Sequence, residues 1–376
     1  MTLHIFNPEH DIALASGLAN FTPPHAGRQL RRDLGFIPAL WAAEGDTLIV
    51  DDVETAERGV RRLRRQLCRE QSHALPPVKL CLASSKAMLC SDDISTVAPW
   101  GWDSALRARL LRLGIGEQLL PKEEQITVIK QLSHRRTAMQ LLPLLRTEGT
   151  VGEAFECRTF EETADVVSRF DSVVLKAPWS SSGRGLRFVA KSLDGKQEGW
   201  QRHSFDANQE GWLRNLLSKQ GSVMVEPLYN KVKDFAMEFS CNGDGRVSYE
   251  GLSLFHTQNG AYTGNILATE SAKCEALSRY LPTALLQHVQ TTICNRLSCV
   301  LKGHYAGPFG VDMMVVSHPR TDGFLLHPCV EINLRRTMGH VALALTRMVN
   351  PTNDGDIRRV MRVTYSDIYQ LDIQRL

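Results

Sequence analysis

Residues 172–189, SVVLKAPWSSSGRGLRFV, decide how the chain is read. Ser172–Lys176 is an apolar, β-branched run, mostly small residues follow, and Arg187–Val189 resumes the apolar pattern. A βαβ crossover would open a helix at the glycines; here a second strand begins instead, so a hairpin is expected. Glycines let backbone N–H groups approach phosphate oxygens with no Cβ in the way, and Lys176 at the strand end adds a matching point charge. The lysine precedes the glycines, which excludes the G-x-x-x-x-G-K-[ST] loop. Taken alone, the segment also reads as an ordinary hairpin beside a surface lysine.

Upstream, residues 134–146 are helical in period, Ala154–Arg158 is a strand candidate and Phe160–Phe170 a helix. Downstream, strands are expected at Val223–Glu226, Asp234–Ser240, Val247–Phe255, Gly310–Val316 and Phe324–Leu334, with helices at Cys274–Tyr280, Pro282–Leu301 and His340–Met348. Toward the N-terminus, Leu3–Phe6 closed by Asn7-Pro8, Thr47–Val50 closed by Asp51-Asp52, and Lys79–Ala83 are short strands. Helical stretches such as Glu54–Glu70 and Ala105–Leu113 separate or follow them, which is the pattern of a partial parallel sheet. The expected fold class is α/β and α+β: a parallel-sheet unit over 1–125, a small unit with the glycine-rich loop over 126–222, and a larger one over 223–376.

Two or three units suit 376 residues at about 150 per domain. Hydrophobic residues at 43% and charged residues at 23% exclude whole-chain disorder. A net charge of +3 offers no global field for nucleic acid, and the six arginines between Arg58 and Arg69 read as a solvated helix face, so no nucleic-acid partner is expected. The opening residues lack a basic region followed by an apolar core, and no run approaches the roughly 18 apolar residues of a membrane span. Nine scattered cysteines without a C-x-x-C fit reduced thiols, so a cytoplasmic location is expected and a structural zinc is not.

In Val330-Glu331-Ile332-Asn333 the period of a strand puts Glu331 and Asn333 on one face. Asp312 is a carboxylate inside an apolar strand, costly unless a cation or hydrogen bonds compensate it. Three such oxygen ligands suit Mg²⁺, with Mn²⁺ as the alternative, although each also reads as a partly exposed strand residue. Arg335 and Arg336 follow directly and could hold phosphate or carboxylate oxygens. Val225–Tyr229 ends a strand at Pro227, leaving backbone groups near Leu228 for an adenine edge, and Asp234 could accept from ribose hydroxyls. Glu9, His10 and Asp11 follow the first strand, where open α/β sheets bind ligands, and His256–Asn265 is a polar, glycine-rich candidate loop. Both also read as ordinary turns.

The strand of Lys176 with its glycine loop, then Glu226, then Asp312, then Glu331-x-Asn333, resembles in this order the ATP-grasp superfamily, closest to its biotin carboxylase and D-alanine:D-alanine ligase branches. The resemblance covers about residues 133–345. It implies that Lys176 holds the α- and β-phosphates of ATP and that Ser180, Ser181, Ser182, Gly183, Arg184 and Gly185 close over the β- and γ-phosphates. It places Glu226 and the Leu228 backbone at the adenine, Asp234 at the ribose, and Mg²⁺ on Asp312, Glu331 and Asn333. Arg335 would steady the transferred phosphoryl group or the substrate carboxylate. An earlier phosphate lysine is replaced within Ser133–Arg136, with Arg135 or Arg136 as the substitute, and Pro178–Ser182 stand where glycines often do. The implied activity is an ADP-forming ligase that activates a small-molecule carboxylate as an acylphosphate for an amine, thiol or similar nucleophile. A homodimer is compatible with it. The alternatives are a small-molecule kinase of the same fold and a non-catalytic nucleotide-binding regulator. Lys176 is expected to face the cleft, so that Lys176→Ala would cost ATP affinity and turnover but have little effect on folding.

Overall fold

The computed structural model describes residues 1–69, 75–84, 93–180, 185–190, 205–258, 261–349 and 359–375. It contains three sheets, one per unit. The first unit runs β1 (Thr2–Ile5), α1 (His10–Ser16), α2 (His25–Leu34), β2 (Thr47–Val50), α3 (Val53–Arg69), β3 (Lys79–Leu82), β4 (Thr96–Pro99), α4 (Ser104–Arg112) and α5 (Glu123–Leu132). Its strands are all parallel in the order β3-β2-β1-β4. Leu3, Ile5, Ile49 and Leu110 close one side of the sheet, and Leu48, Val50, Leu63 and Leu67 the other. Burial of the central strand β1 and its neighbour β2 on both faces accounts for their mostly apolar residues, whereas β3 at the edge is largely exposed.

The second unit holds α6 (Arg136–Leu145), β5 (Phe155–Cys157), α7 (Phe160–Ser168), β6 (Ser172–Lys176), β7 (Leu186–Ala190), α8 (Ala207–Gln220) and β8 (Val223–Pro227). Its sheet is antiparallel in the order β5-β8-β6-β7, and Lys176 opposite Leu186 gives the expected hairpin. β8 pairs with β5 and β6. The break expected after residue 222 therefore falls one strand too early, because Val223–Glu226 completes the smaller sheet.

The third unit comprises β9 (Lys231–Cys241), β10 (Val247–Gln258), β11 (Ala261–Leu267), α9 (Glu270–Ser278), α10 (Thr283–Leu301), β12 (Gly307–Ser317), β13 (Phe324–Asn333), α11 (Met338–Val349), β14 (Arg359–Tyr365) and β15 (Tyr369–Arg375). The strands form one sheet, β13-β12-β9-β10-β11-β14-β15. Phe235, Met237 and Phe239 of β9 and Phe309, Val311 and Met313 of β12 point to one side, where they pack with Val289 and Ile293 of α10 and Leu141 and Leu145 of α6. By alternation the even-numbered residues of β9 and β12 point to the other side. The segment His256–Asn265, expected as a loop, is largely the β10–β11 hairpin, with a register shift between His256 and Thr257. Among the described residues no helix is long and apolar enough to cross a membrane.

Candidate functional site

The face opposite the phenylalanine core carries two cross-strand rows. Ala236, Asp312 and Glu331 lie side by side on β9, β12 and β13, and Glu238, Gly310 and Asn333 form the adjacent row. Burial, and then the facing Glu331 charge, push the Asp312 carboxyl up to about 7. Two hard carboxylates that repel one another in this way fit a divalent cation. Asn333 is oriented differently from the expectation. Its Nδ2 donates to Asp312 Oδ2 at 3.2 Å, while its Oδ1 accepts from Arg335 Nη2 at 3.0 Å. It offers a cation an oxygen only after the amide turns over.

Across from this row, Lys176 Nζ donates to Glu226 Oε2 at 2.5 Å, and the two side chains are 8% and 6% exposed. Lys176, expected to face the cleft with little part in folding, is held in a buried ion pair, because β6 and β8 are neighbours and bring the lysine to the carboxylate. Leu228 is corrected in part. It is 47% exposed, but its amide N–H donates to Ser172 O at 2.9 Å, so that donor is taken. Asp234 Oδ2 accepts from Lys231 at 2.5 Å and from Thr257 at 2.9 Å, and lies opposite Met314, further along the same face than Asp312.

The two arginines expected at the place of the earlier phosphate lysine, Arg135 and Arg136, point in different directions. The Arg135 guanidinium donates to Ala177 O at 2.9 Å and Ser180 Oγ at 3.2 Å and pairs with Glu331 at 2.8 Å. Arg136 turns away to Glu156 at 2.9 Å. Arg135 thus ties the base of the glycine-rich loop to the acidic strand. That base is narrow: Ala177 N donates to Gly185 O at 2.8 Å, and a Cβ on Gly185 would stand 2.5 Å from the Ser180 side chain. No larger residue fits there. Ser181, Ser182, Gly183 and Arg184 lie outside the described residues.

Arg335 makes a two-pronged pair with Asp11 of α1, at 2.7 and 2.8 Å. Burial alone would raise the Asp11 carboxyl, but the arginine charge and hydrogen bonds hold it below its ordinary value. A small groove bordered by His10, Asp11, Ser180, Glu331 and Asn333 therefore joins all three units. Of the Glu9–Asp11 segment, Asp11 reaches this groove directly, whereas Glu9 pairs with Arg31.

Sequence reasoning missed His327 and Glu238. His327 is fully buried, its ring is pushed down to about 4 by burial, and neither ring nitrogen has a hydrogen-bond partner among the described residues. Tyr229 meets it edge-on at 5.6 Å. Stepping back two residues at a time from Glu331 along β13 leads to Cys329 and His327, a signal already present in the strand period. Glu238 could not be found that way, since its place beside Gly310 depends on strand pairing.

No family model matches the sequence, and no curated protein matches it. Solved structures similar to the chain include N5-carboxyaminoimidazole synthetase from Staphylococcus aureus complexed with ADP, at 10% identity and TM-score 0.45, covering 96% of this chain and 81% of that one. The biotin carboxylase domain of Hydrogenobacter thermophilus 2-oxoglutarate carboxylase, in complex with MgADP, ADP and bicarbonate, is 12% identical at TM-score 0.49, covering 96% and 74%. Biotin carboxylase from Campylobacter jejuni, in a β-γ-ATP complex, is 12% identical at TM-score 0.47, covering 96% and 75%. Likeness at this level assigns no activity, which has to be argued from the side chains themselves.

Proposed function

We propose that the groove where the three units meet binds Mg-ATP and that the chain is an ATP-grasp-type, ADP-forming ligase, joining a small-molecule carboxylate to an amine or thiol through an acylphosphate. The observation that carries this reading is Arg135, which spans from Ala177 and Ser180 at the glycine-rich loop to Glu331 on the acidic strand. A phosphate chain lying there would have loop N–H groups and cations on one side and two carboxylates on the other. Such an arrangement is useful only if a divalent cation lies between. Asp312 and Glu331 are the residues to hold Mg²⁺ or Mn²⁺, which when bound supplies charge neutralisation at phosphate oxygens. Lys176 and Arg135 hold phosphate oxygens in place, and Arg335, oriented by Asp11, presents its guanidinium to the oxygens of the group being transferred. Positioning and charge suffice for this chemistry, without a covalent role for the protein.

Incubation with ATP, Mg²⁺ and pooled carboxylic acids, with and without pooled amines and amino acids, tests the reaction. ADP and phosphate released only when both pools are present support the ligase. ADP formed without any nucleophile favours a kinase, and nucleotide binding without release favours a regulator. Glu331→Gln is expected to raise the Mg²⁺ concentration needed for nucleotide binding by about tenfold or more. An unchanged Mg²⁺ titration would remove Glu331 as a ligand. Asp11→Asn is expected to lower turnover about tenfold or more while leaving nucleotide affinity nearly unchanged, because it loosens only the orientation of Arg335. A parallel loss of nucleotide affinity would show that Asp11 does more than orient.

A further inference from the structure

A cavity of about 500 Å³ lies in the first unit where Asn7 follows β1 and Asp103 follows β4. This is the C-terminal edge of the parallel sheet, the side on which open α/β sheets take ligands, and the volume is that of a small-molecule site, roughly 300–1,000 Å³. Its residues come from the first unit alone, so it stands apart from the nucleotide groove.

Most of the carboxylate oxygens around it are already used. Asp51 accepts from Arg31 Nε at 2.7 Å and from Arg109 Nη2 at 2.8 Å, one arginine on each oxygen. Asp103 caps α4 through Leu106 N at 2.9 Å and takes Asn7 Nδ2 at 3.2 Å, with His10 Nδ1 at 3.5 Å. Glu9 is closed on Arg31 through one oxygen, while its other oxygen is buried and has no hydrogen-bond partner among the described residues. The donors are not used up. Arg31 keeps Nη2, Arg109 keeps Nε and Nη1, and Arg112 makes no side-chain hydrogen bond or ion pair among the described residues. All three arginines line the cavity, and Ala13, Phe21 and Leu106 supply an apolar wall.

A cavity lined by three guanidinium groups with spare donors, and with one unpartnered carboxylate oxygen, on Glu9, that is buried away from solvent, selects an acceptor-rich, negatively charged ligand. We propose that it binds a small molecule carrying an oxyanion, carboxylate or phosphate, on an apolar body, through Arg31, Arg109 and Arg112. Helix α1 would then serve both places: Ala13 borders this cavity, and Asp11 reaches Arg335 of the groove.

Calorimetric titration of the full chain, without nucleotide or Mg²⁺, with phenyl phosphate, phenylacetate and the uncharged 2-phenylethanol tests the assignment. At least one charged probe is expected to bind and the alcohol not, and the probe that binds identifies the oxyanion. Arg112→Gln, at an exposed site where folding is not at stake, should weaken the charged probe about fivefold or more, and Arg109→Gln with Arg112→Gln about fiftyfold. Arg61→Gln, on the exposed face of α3, should bind it as the wild type does, and Mg-ATP affinity should be unchanged in Arg112→Gln. Binding of neither charged probe, or equal affinity in Arg112→Gln and the wild type, overturns the proposal whatever the outcome of the nucleotide experiments.

Discussion

Replacing Lys176 by Met is expected to destabilise the chain by about 3–5 kcal/mol and to abolish measurable Mg-ATP affinity. The two effects have different origins. Stability falls because the substitution leaves Glu226, with its side chain 6% exposed, as a buried carboxylate without its cation. Nucleotide affinity falls because a phosphate-holding ammonium is gone. A second variant separates them. Lys176→Met combined with Glu226→Gln removes both charges, so most of the lost stability should return while nucleotide affinity stays lost. Urea midpoints and calorimetric titration read the two quantities independently. A single variant as stable as the wild type would contradict the buried pair, and wild-type nucleotide affinity in the double variant would remove Lys176 from the phosphate site.

The other large effect is expected at Glu238, where Glu238→Gln should stabilise the protein increasingly as pH rises. His340 Nε2 lies 3.2 Å from Phe239 O, to which it can only donate, so Nδ1 carries no proton. That agrees with an imidazole pushed down to about 3 by burial and by the nearby Arg336. Thr337 N donates to Nδ1 at 3.2 Å, and Glu238 Oε2 stands 3.1 Å from the same atom. No hydrogen bond joins that oxygen to the ring, since Nδ1 already faces both the N–H and the hydroxyl of Thr337. The Glu238 carboxyl is raised from 4.5 to about 8 by burial, with Asp312 pushing the same way and Thr337, Arg335 and Lys273 opposing.

A folded-state pKa above the unfolded value gives a contribution that is whole below pH 4.5 and is lost as pH rises toward about 8, since over that window the unfolded chain ionises and the folded chain does not. Glutamine keeps the shape but cannot ionise in either state. The variant should match the wild type near pH 4.5 and exceed it by several kcal/mol near pH 8, at roughly 1.4 kcal/mol per pKa unit. A stability difference that does not change across this range would mean that Glu238 is ionised in the fold.

What could be read from the sequence follows from which interactions are local. β6 is recovered to the residue, because Ser172–Lys176 is an apolar run bounded by Asp171 and by Ala177-Pro178. The shared face of Glu331 and Asn333 follows from strand period alone. Register does not: Asp312 opposite Glu331, and Glu238 opposite Gly310, are set by which strands neighbour each other. The same limit hid the Lys176–Glu226 pair and put the unit boundary before β8 instead of after it. β4 ends on a proline, and β14 and β15 carry Arg359, Arg362, Asp372 and Arg375 among their apolar residues, so their composition understates strand character. Arg135 was separated from Arg136 only by the start of α6, which sends consecutive side chains in different directions.

Arg135 and Glu331 neutralise one another at 2.8 Å, and this has a consequence for how ligands would arrive. In a groove that takes Mg-ATP as proposed, a cation drawing Glu331 toward itself frees the guanidinium for phosphate, and a phosphate drawing Arg135 away frees the carboxylate for the cation. Each ligand removes an obstacle to the other, so the two should bind with positive heterotropic cooperativity, equal in size whichever is titrated first. Either alone must break the pair unaided and should bind more weakly for that reason.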